Sequence, residues 1–173
     1  MDLFGSFQDV VNSGATEKTG GTSTITSILI VDDDLGIRTM LCSVLYDGGY
    51  TVEAVDNGKK AIKACEKSPF DLALIDIELP DMKGTELLYK LKKLQPKMIR
   101  IIITGHPTLE SAIKAVNERA DGYMLKPIDV AKLLEMIERL LTEKTNEYLS
   151  ILDGSTRARD STPMVKFQHP ENW

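Results

Sequence analysis

Residues 28–34 read Ile28-Leu29-Ile30-Val31-Asp32-Asp33-Asp34, four apolar side chains running straight into three carboxylates. So short and so apolar a run suits a strand buried on both faces. Just downstream, Ile37, Met40, Leu41, Val44 and Leu45 recur at helical spacing, and Gly48-Gly49 closes that stretch. The same pair of signals then repeats along the chain. Thr51 to Val55 is strand-like, and residues 58–67 are helical with Ala61, Ile62 and Cys65 inward. Asp71 to Ile75 is a third strand, followed by a helix from Gly84 to Leu94 through Leu87, Leu88 and Leu91. Ile99 to Ile103 is a fourth strand, and Leu109, Ala112, Ile113 and Val116 mark a fourth helix. Gly122 to Leu125 is a fifth strand. A helix then begins at Val130, runs through Leu133, Leu134, Ile137, Leu140 and Leu141, and ends near Leu149 to Leu152.

Alternation of this kind is the pattern of a (βα)5 α/β protein, a doubly wound parallel sheet with helices on both faces. Right-handed crossovers leave few topologies, of which the flavodoxin-like strand order 2-1-3-4-5 is expected. The chain has 173 residues, with room for one such unit. Its 42% hydrophobic and 27% charged residues are those of a globular protein. A net charge of −5 speaks against a basic nucleic-acid binder, and direct DNA binding is not expected. No apolar run approaches the roughly 20 residues of a membrane span. The start of the chain lacks the basic flank and apolar stretch of a secretory signal, so a cytoplasmic location is expected. Cys42 and Cys65 have neither metal-ligand spacing nor a nearby histidine and read as reduced, packed thiols. Residues 1–26 read as a flexible tail, in which Phe4, Phe7, Val10 and Val11 could form one amphipathic turn. Residues 27–145 hold the folded unit. Residues 146–173 read as a helix extension and a second flexible tail containing Phe167, His169 and Trp173.

Sites in folds of this class form at the carboxyl ends of the strands. Here the first strand ends in Asp32-Asp33-Asp34, the third in Asp76, the fourth in Thr104, and the fifth in Lys126-Pro127. In the expected order those four strands are neighbours, so carboxylates, a hydroxyl and an ammonium converge on one edge. Crowded carboxylates repel unless a cation neutralises them. An all-oxygen set favours Mg²⁺, for which Mn²⁺ can substitute. Asp33 and Asp76 are the expected direct ligands, with Asp32 acting through water and the Glu78 backbone carbonyl supplying another oxygen. Asp34 is expected to cap the first helix. A hydroxyl and an ammonium beside a divalent cation suit a phosphoryl group, and one carboxylate can then become an aspartyl phosphate.

Four stretches taken together resemble the receiver domain of two-component response regulators. They are residues 28–34, Leu74-Ile75-Asp76-Ile77-Glu78-Leu79-Pro80-Asp81-Met82-Lys83-Gly84, Ile101-Ile102-Ile103-Thr104-Gly105-His106, and Gly122-Tyr123-Met124-Leu125-Lys126-Pro127. The resemblance covers about residues 27–145. It implies that Asp76 accepts a phosphoryl group from a partner histidine kinase, and that Asp32 and Asp33 bind Mg²⁺. It further implies that Thr104 is a switch hydroxyl, that Lys126 pairs with the phosphoryl group through a cis bond to Pro127, and that Tyr123 is an aromatic switch. Self-catalysed phosphotransfer and autodephosphorylation are the only chemistry it implies. Lys83 stands where the family usually carries Asp, in a loop expected to lie away from the chemistry. Glu78 and His106 occupy positions expected to set the lifetime of the phosphoryl group.

About 20 residues follow the fifth helix, so no output domain is expected, and the phosphoryl source (a sensor histidine kinase or phosphotransfer protein) and the effector are expected to be separate molecules. The expected output surface is the fourth helix, fifth strand and fifth helix. A stripe of Leu134, Ile137, Leu141, Tyr148 and Leu152 raises the prospect of a weak homodimer. Two rival readings share these residues. A haloacid-dehalogenase-type phosphatase would use Asp32 of the Asp-x-Asp as nucleophile, but lacks its second acidic pair after Lys126, where only Asp129 stands. An inactive receiver serving as a binding module would not need the full set of Asp32, Asp33, Asp76, Thr104 and Lys126.

Overall fold

The computed structural model describes residues 25–153, except for the side chains of Ser111 and Ala112. What the sequence suggests for residues 1–24 and 154–173 lies outside the described residues. The elements run β1 (Ser27–Val31), α1 (Leu35–Asp47), β2 (Thr51–Val55), α2 (Gly58–Lys67), β3 (Leu72–Asp76), α3 (Gly84–Leu94), β4 (Ile99–Thr104), α4 (Leu109–Asn117), β5 (Gly122–Leu125) and α5 (Val130–Leu152). All pairings are parallel, in the order β2-β1-β3-β4-β5. The expected (βα)5 topology is therefore the observed one.

Period-two alternation divides the strand side chains between two cores. Leu29, Val31, Ala73, Ile75 and Ile102 face α2, α3 and α4, where Ala61, Leu87, Leu88, Leu91 and Ala115 meet them. Ile28, Ile30, Leu72, Leu74, Ile101 and Ile103 face α1 and α5, meeting Leu41, Leu45, Leu133 and Ile137. Side-chain oxygens start three of the helices. Asp34 accepts the Ile37 N–H at 3.0 Å, as expected, Asn57 accepts that of Lys60 at 2.9 Å, and Asp129 accepts that of Lys132 at 3.2 Å. Asp81 accepts the N–H groups of Gly58 and Lys59, both at 2.9 Å, tying the loop after β3 to the start of α2.

Two elements are more exposed than the rest. β2 is not buried on both faces: Thr51, Glu53 and Ala54 are exposed, because an edge strand lacks a neighbour and its outer positions meet water. In α4, the apolar stripe that marks the helix is largely exposed. Leu109, Ile113 and Val116 are 79%, 51% and 37% exposed, while Ala115 is the buried contact. Helical spacing identifies an apolar face but not whether a core lies beneath it.

Both cysteines are free, and burial pushes the Cys65 thiol up to about 11. At pH 8 only about one such thiol in a thousand is the reactive thiolate. Cys65 should therefore resist iodoacetamide in the native protein and react once denaturant is added, as peptide mass spectrometry would show. Native labelling as fast as that of a free thiol would contradict the packing.

Candidate functional site

β1, β3 and β5 all terminate at one edge, and each delivers a charged group there. Asp32 follows β1, Asp76 closes β3, and Lys126 follows β5. One carboxylate oxygen from each of Asp32, Asp33 and Asp76 lies within 4.8 Å of the others. Asp32 and Asp76 are buried, while Asp33 is exposed. The Lys126 ammonium bridges the two buried carboxylates, 2.7 Å from Asp32 Oδ2 and 2.5 Å from Asp76 Oδ2. Their other oxygens accept backbone donors. Asp32 Oδ1 takes the Asp34 N–H at 2.9 Å, and Asp76 Oδ1 takes that of Glu78 at 3.1 Å. The Arg38 guanidinium donates to the Asp32 carbonyl at 2.7 Å, fixing the backbone beneath the cluster.

Burial dominates the Asp32 carboxyl and raises its pKa, against the opposing bonds from Lys126 and the Asp34 N–H. Burial pulls the Lys126 ammonium down, but its hydrogen bonds to Asp32 and Asp76 outweigh that and raise it. Three carboxylates against one ammonium leave two negative charges uncompensated, the charge of one divalent cation. With carboxylate oxygens alone as donors, the site fits a hard cation such as Mg²⁺.

Other expected site residues stand around this cluster in different ways. Thr104 closes β4, one residue beyond the partner of Asp76, and is fully buried. Its hydroxyl accepts the His106 N–H at 3.2 Å, and its carbonyl accepts the Lys126 N–H at 2.8 Å. The Lys126-Pro127 bond is cis. Tyr123 is half-buried against the core under α2, α3 and α4, and its hydroxyl is buried without a hydrogen-bond partner among the described residues. The Glu78 side chain turns to Lys83, whose ammonium contacts its two oxygens at 2.9 and 2.7 Å.

That last contact corrects an expectation, since the Lys83 loop is not remote from the site. An isolated antiparallel bridge between Glu78 and Lys83 folds the loop back on itself and sets the two charges side by side. Only opposite charges five positions apart hinted at this in the sequence. The motif that contains Gly84 likewise gives no hint of its role. A Cβ there would collide with the Asp76 carbonyl oxygen.

Comparison with known proteins decides the family. A model of the response regulator receiver domain matches residues 28–138. The chain belongs to this family. Its receiver domain is 32% identical, over 131 residues, to the transcriptional regulatory protein ZraR of Escherichia coli O157:H7, covering 76% of this chain and 29% of ZraR. Other curated relatives are matched over a similarly small share of their length, so the chain spans less than a third of them. Among solved structures, a CheY-like receiver domain from Methanospirillum hungatei JF-1 is 42% identical with a TM-score of 0.70, over 72% of this chain and 99% of that one. A Burkholderia pseudomallei response regulator, crystallised with a phosphorylated aspartic acid and a calcium ion, is 28% identical with a TM-score of 0.63, over 71% and 72% of the two chains. Receiver domains are signalling modules of two-component systems. No described helix of this one is long and apolar enough to cross a membrane.

Proposed function

We propose that this receiver accepts a phosphoryl group on Asp76 from the phosphohistidine of a partner kinase or phosphotransfer protein. The observation that carries the reading is the bridge of Lys126 between Asp76 and Asp32, within a group of three carboxylates at the strand ends. An Asp76 oxygen attacks phosphorus, the P–N bond to the donor imidazole breaks, and the imidazole leaves with the electron pair. Asp32, Asp33, Asp76 and the Glu78 carbonyl would hold Mg²⁺, with Mn²⁺ able to replace it. The bound ion supplies positive charge to the phosphoryl oxygens. Lys126 keeps its place by exchanging a carboxylate partner for a phosphoryl oxygen.

Switching follows from what changes around the new group. The Thr104 hydroxyl, which accepts the His106 N–H, moves inward and donates its own proton to a phosphoryl oxygen. The Tyr123 ring then moves into the space Thr104 vacates. A buried hydroxyl without a partner costs about 1–3 kcal/mol, so nothing polar holds the ring where it is. Phosphorylation biases two states by the difference in its interactions with them. The output surface includes Leu109, Ile113 and Val116 of α4 and Leu125 of β5, all exposed apolar side chains that suit a protein partner. That partner is a separate effector rather than DNA, and the setting is the cytoplasm. Glu78 and His106 govern access of water to the acyl phosphate.

Incubation with acetyl phosphate and Mg²⁺ should add one phosphoryl group to the intact mass. EDTA or Asp76→Asn should each reduce that adduct to background, while exchange of Glu78 and His106 should change only its lifetime. An undiminished adduct on Asp76→Asn would overturn the assignment.

A further inference from the structure

At the end of the sheet opposite the carboxylates lies a cleft of about 920 Å³. It exists because α5 outruns the sheet. At about 1.5 Å per residue its 23 residues extend roughly 34 Å, and its last turns overhang the loops that lead into β3 and β4. Leu141, Lys144, Thr145 and Tyr148, spaced as one helical face, form one wall. Phe70 and Met98 supply apolar floor. Lys67 and Lys97 stand with Lys144 around the rim, and the Lys97 ammonium lies 5.1 Å from the centre of the Tyr148 ring. Against these three cations the lining offers Glu66 and Asp71, and Asp71 is engaged by the Ser27 N–H at 2.9 Å. Thr26, where the chain enters β1, also lines the cleft.

The segment that precedes Thr26 therefore joins the fold at the mouth of an apolar cleft with a positive rim. Leu3, Phe4, Phe7, Val10 and Val11 recur at helical spacing, accompanied by Asp2 and Asp9 and by no basic residue before Lys18. We propose that residues 3–11 of this chain dock in the cleft, placing Phe4, Phe7 and Val11 against Phe70, Leu141 and Tyr148 and the acidic side chains against the lysine rim. Residues 12–24, rich in Gly, Ser and Thr, separate that segment from the fold, and a flexible chain of that length and composition has an r.m.s. reach of about 20 Å. So short a tether gives an effective concentration of about millimolar, and modest contacts suffice. The segment after α5 is the worse match, because Arg157, Arg159 and Lys166 outnumber Asp160 and Glu171 and would meet the rim with like charge.

Hydrogen exchange of the full chain, read by mass spectrometry, tests the proposal. Residues 3–11 should exchange at least tenfold more slowly than an unstructured peptide. Phe4→Ser with Phe7→Ser should abolish that protection and speed exchange across 141–148. Tyr148→Asp, at a side chain 53% exposed, should release residues 3–11 equally, and Lys97→Glu with Lys144→Glu should release them in part. Peptides covering β1 and β3 should stay unchanged in every variant, showing that the fold persists. Exchange of residues 3–11 at the unstructured rate would overturn the proposal, as would protection that survives Tyr148→Asp. Protection that fades on tenfold dilution would also overturn it, assigning the cleft to a second copy of the chain.

Discussion

Gly84→Ala should lower the melting temperature by about 12 °C. The added Cβ would land on the Asp76 carbonyl oxygen, 2.8 Å from the Asp76 carbonyl carbon and 2.8 Å from the Ile77 Cα. All of these are backbone atoms, so no side-chain rotation relieves the clash. The Gly84 N–H also donates to the Ile77 carbonyl at 2.8 Å, which pins the two segments together. Overpacking of this kind costs up to about 3 kcal/mol, and each kcal/mol shifts a domain of this size by roughly 4 °C. Gly105→Ala is the matched control. Its Cβ would meet nothing nearer than Lys126 methylenes at 3.7 and 3.8 Å, and its melting temperature should stay near that of the parent. Thermal unfolding of both variants checks the argument, and an unshifted Gly84→Ala would refute it. Should the variant fold, its displaced Asp76 would also take up phosphoryl groups more slowly.

Lys126→Ala should cost about 3 kcal/mol in EDTA, because it leaves two buried carboxylates without their shared cation. Mg²⁺ should restore most of that loss by mass action, and should stabilise the variant more than the parent, since the ammonium no longer competes for the same oxygens. Alkaline pH separates the two proteins further. The folded pKa of Lys126 is raised above its ordinary 10.5. Its stabilising contribution is therefore full below 10.5 and disappears as pH rises through the folded value. The parent should lose that increment at high pH, and Lys126→Ala should not. Denaturant titrations with and without Mg²⁺ measure all three effects. Equal stability of the two proteins in EDTA would mean that the bridge holds nothing together.

The parts of this molecule legible in its sequence are those written by burial on both faces of a strand. β1, β3 and β4 read as strands because the two cores demand apolar side chains at most of their positions. With those strands and β5 in the order of the fold, Asp32, Asp33, Asp76 and Lys126 converge at their ends by topology. The α4 stripe announces a helix but not its exposure, because an exposed apolar face has the same period as one turned to a core. The exposure of β2 is equally hidden in its sequence, since its place at the edge is decided by the sheet order. The Lys83–Glu78 pair and the steric role of Gly84 depend on how one loop closes, which no periodicity encodes. The cleft under α5 depends on an overhang, the difference between a helix length and a sheet height.

The central claim is that Asp76 carries the phosphoryl group. The most direct measurement is borohydride reduction of the acetyl-phosphate-treated protein, followed by peptide mass spectrometry, because reduction marks the esterified carboxylate permanently. The account predicts the reduced side chain at Asp76 alone, and only when Mg²⁺ was present during labelling. A mark at Asp32 instead would contradict it, and would make the Asp-x-Asp of a phosphatase the working nucleophile.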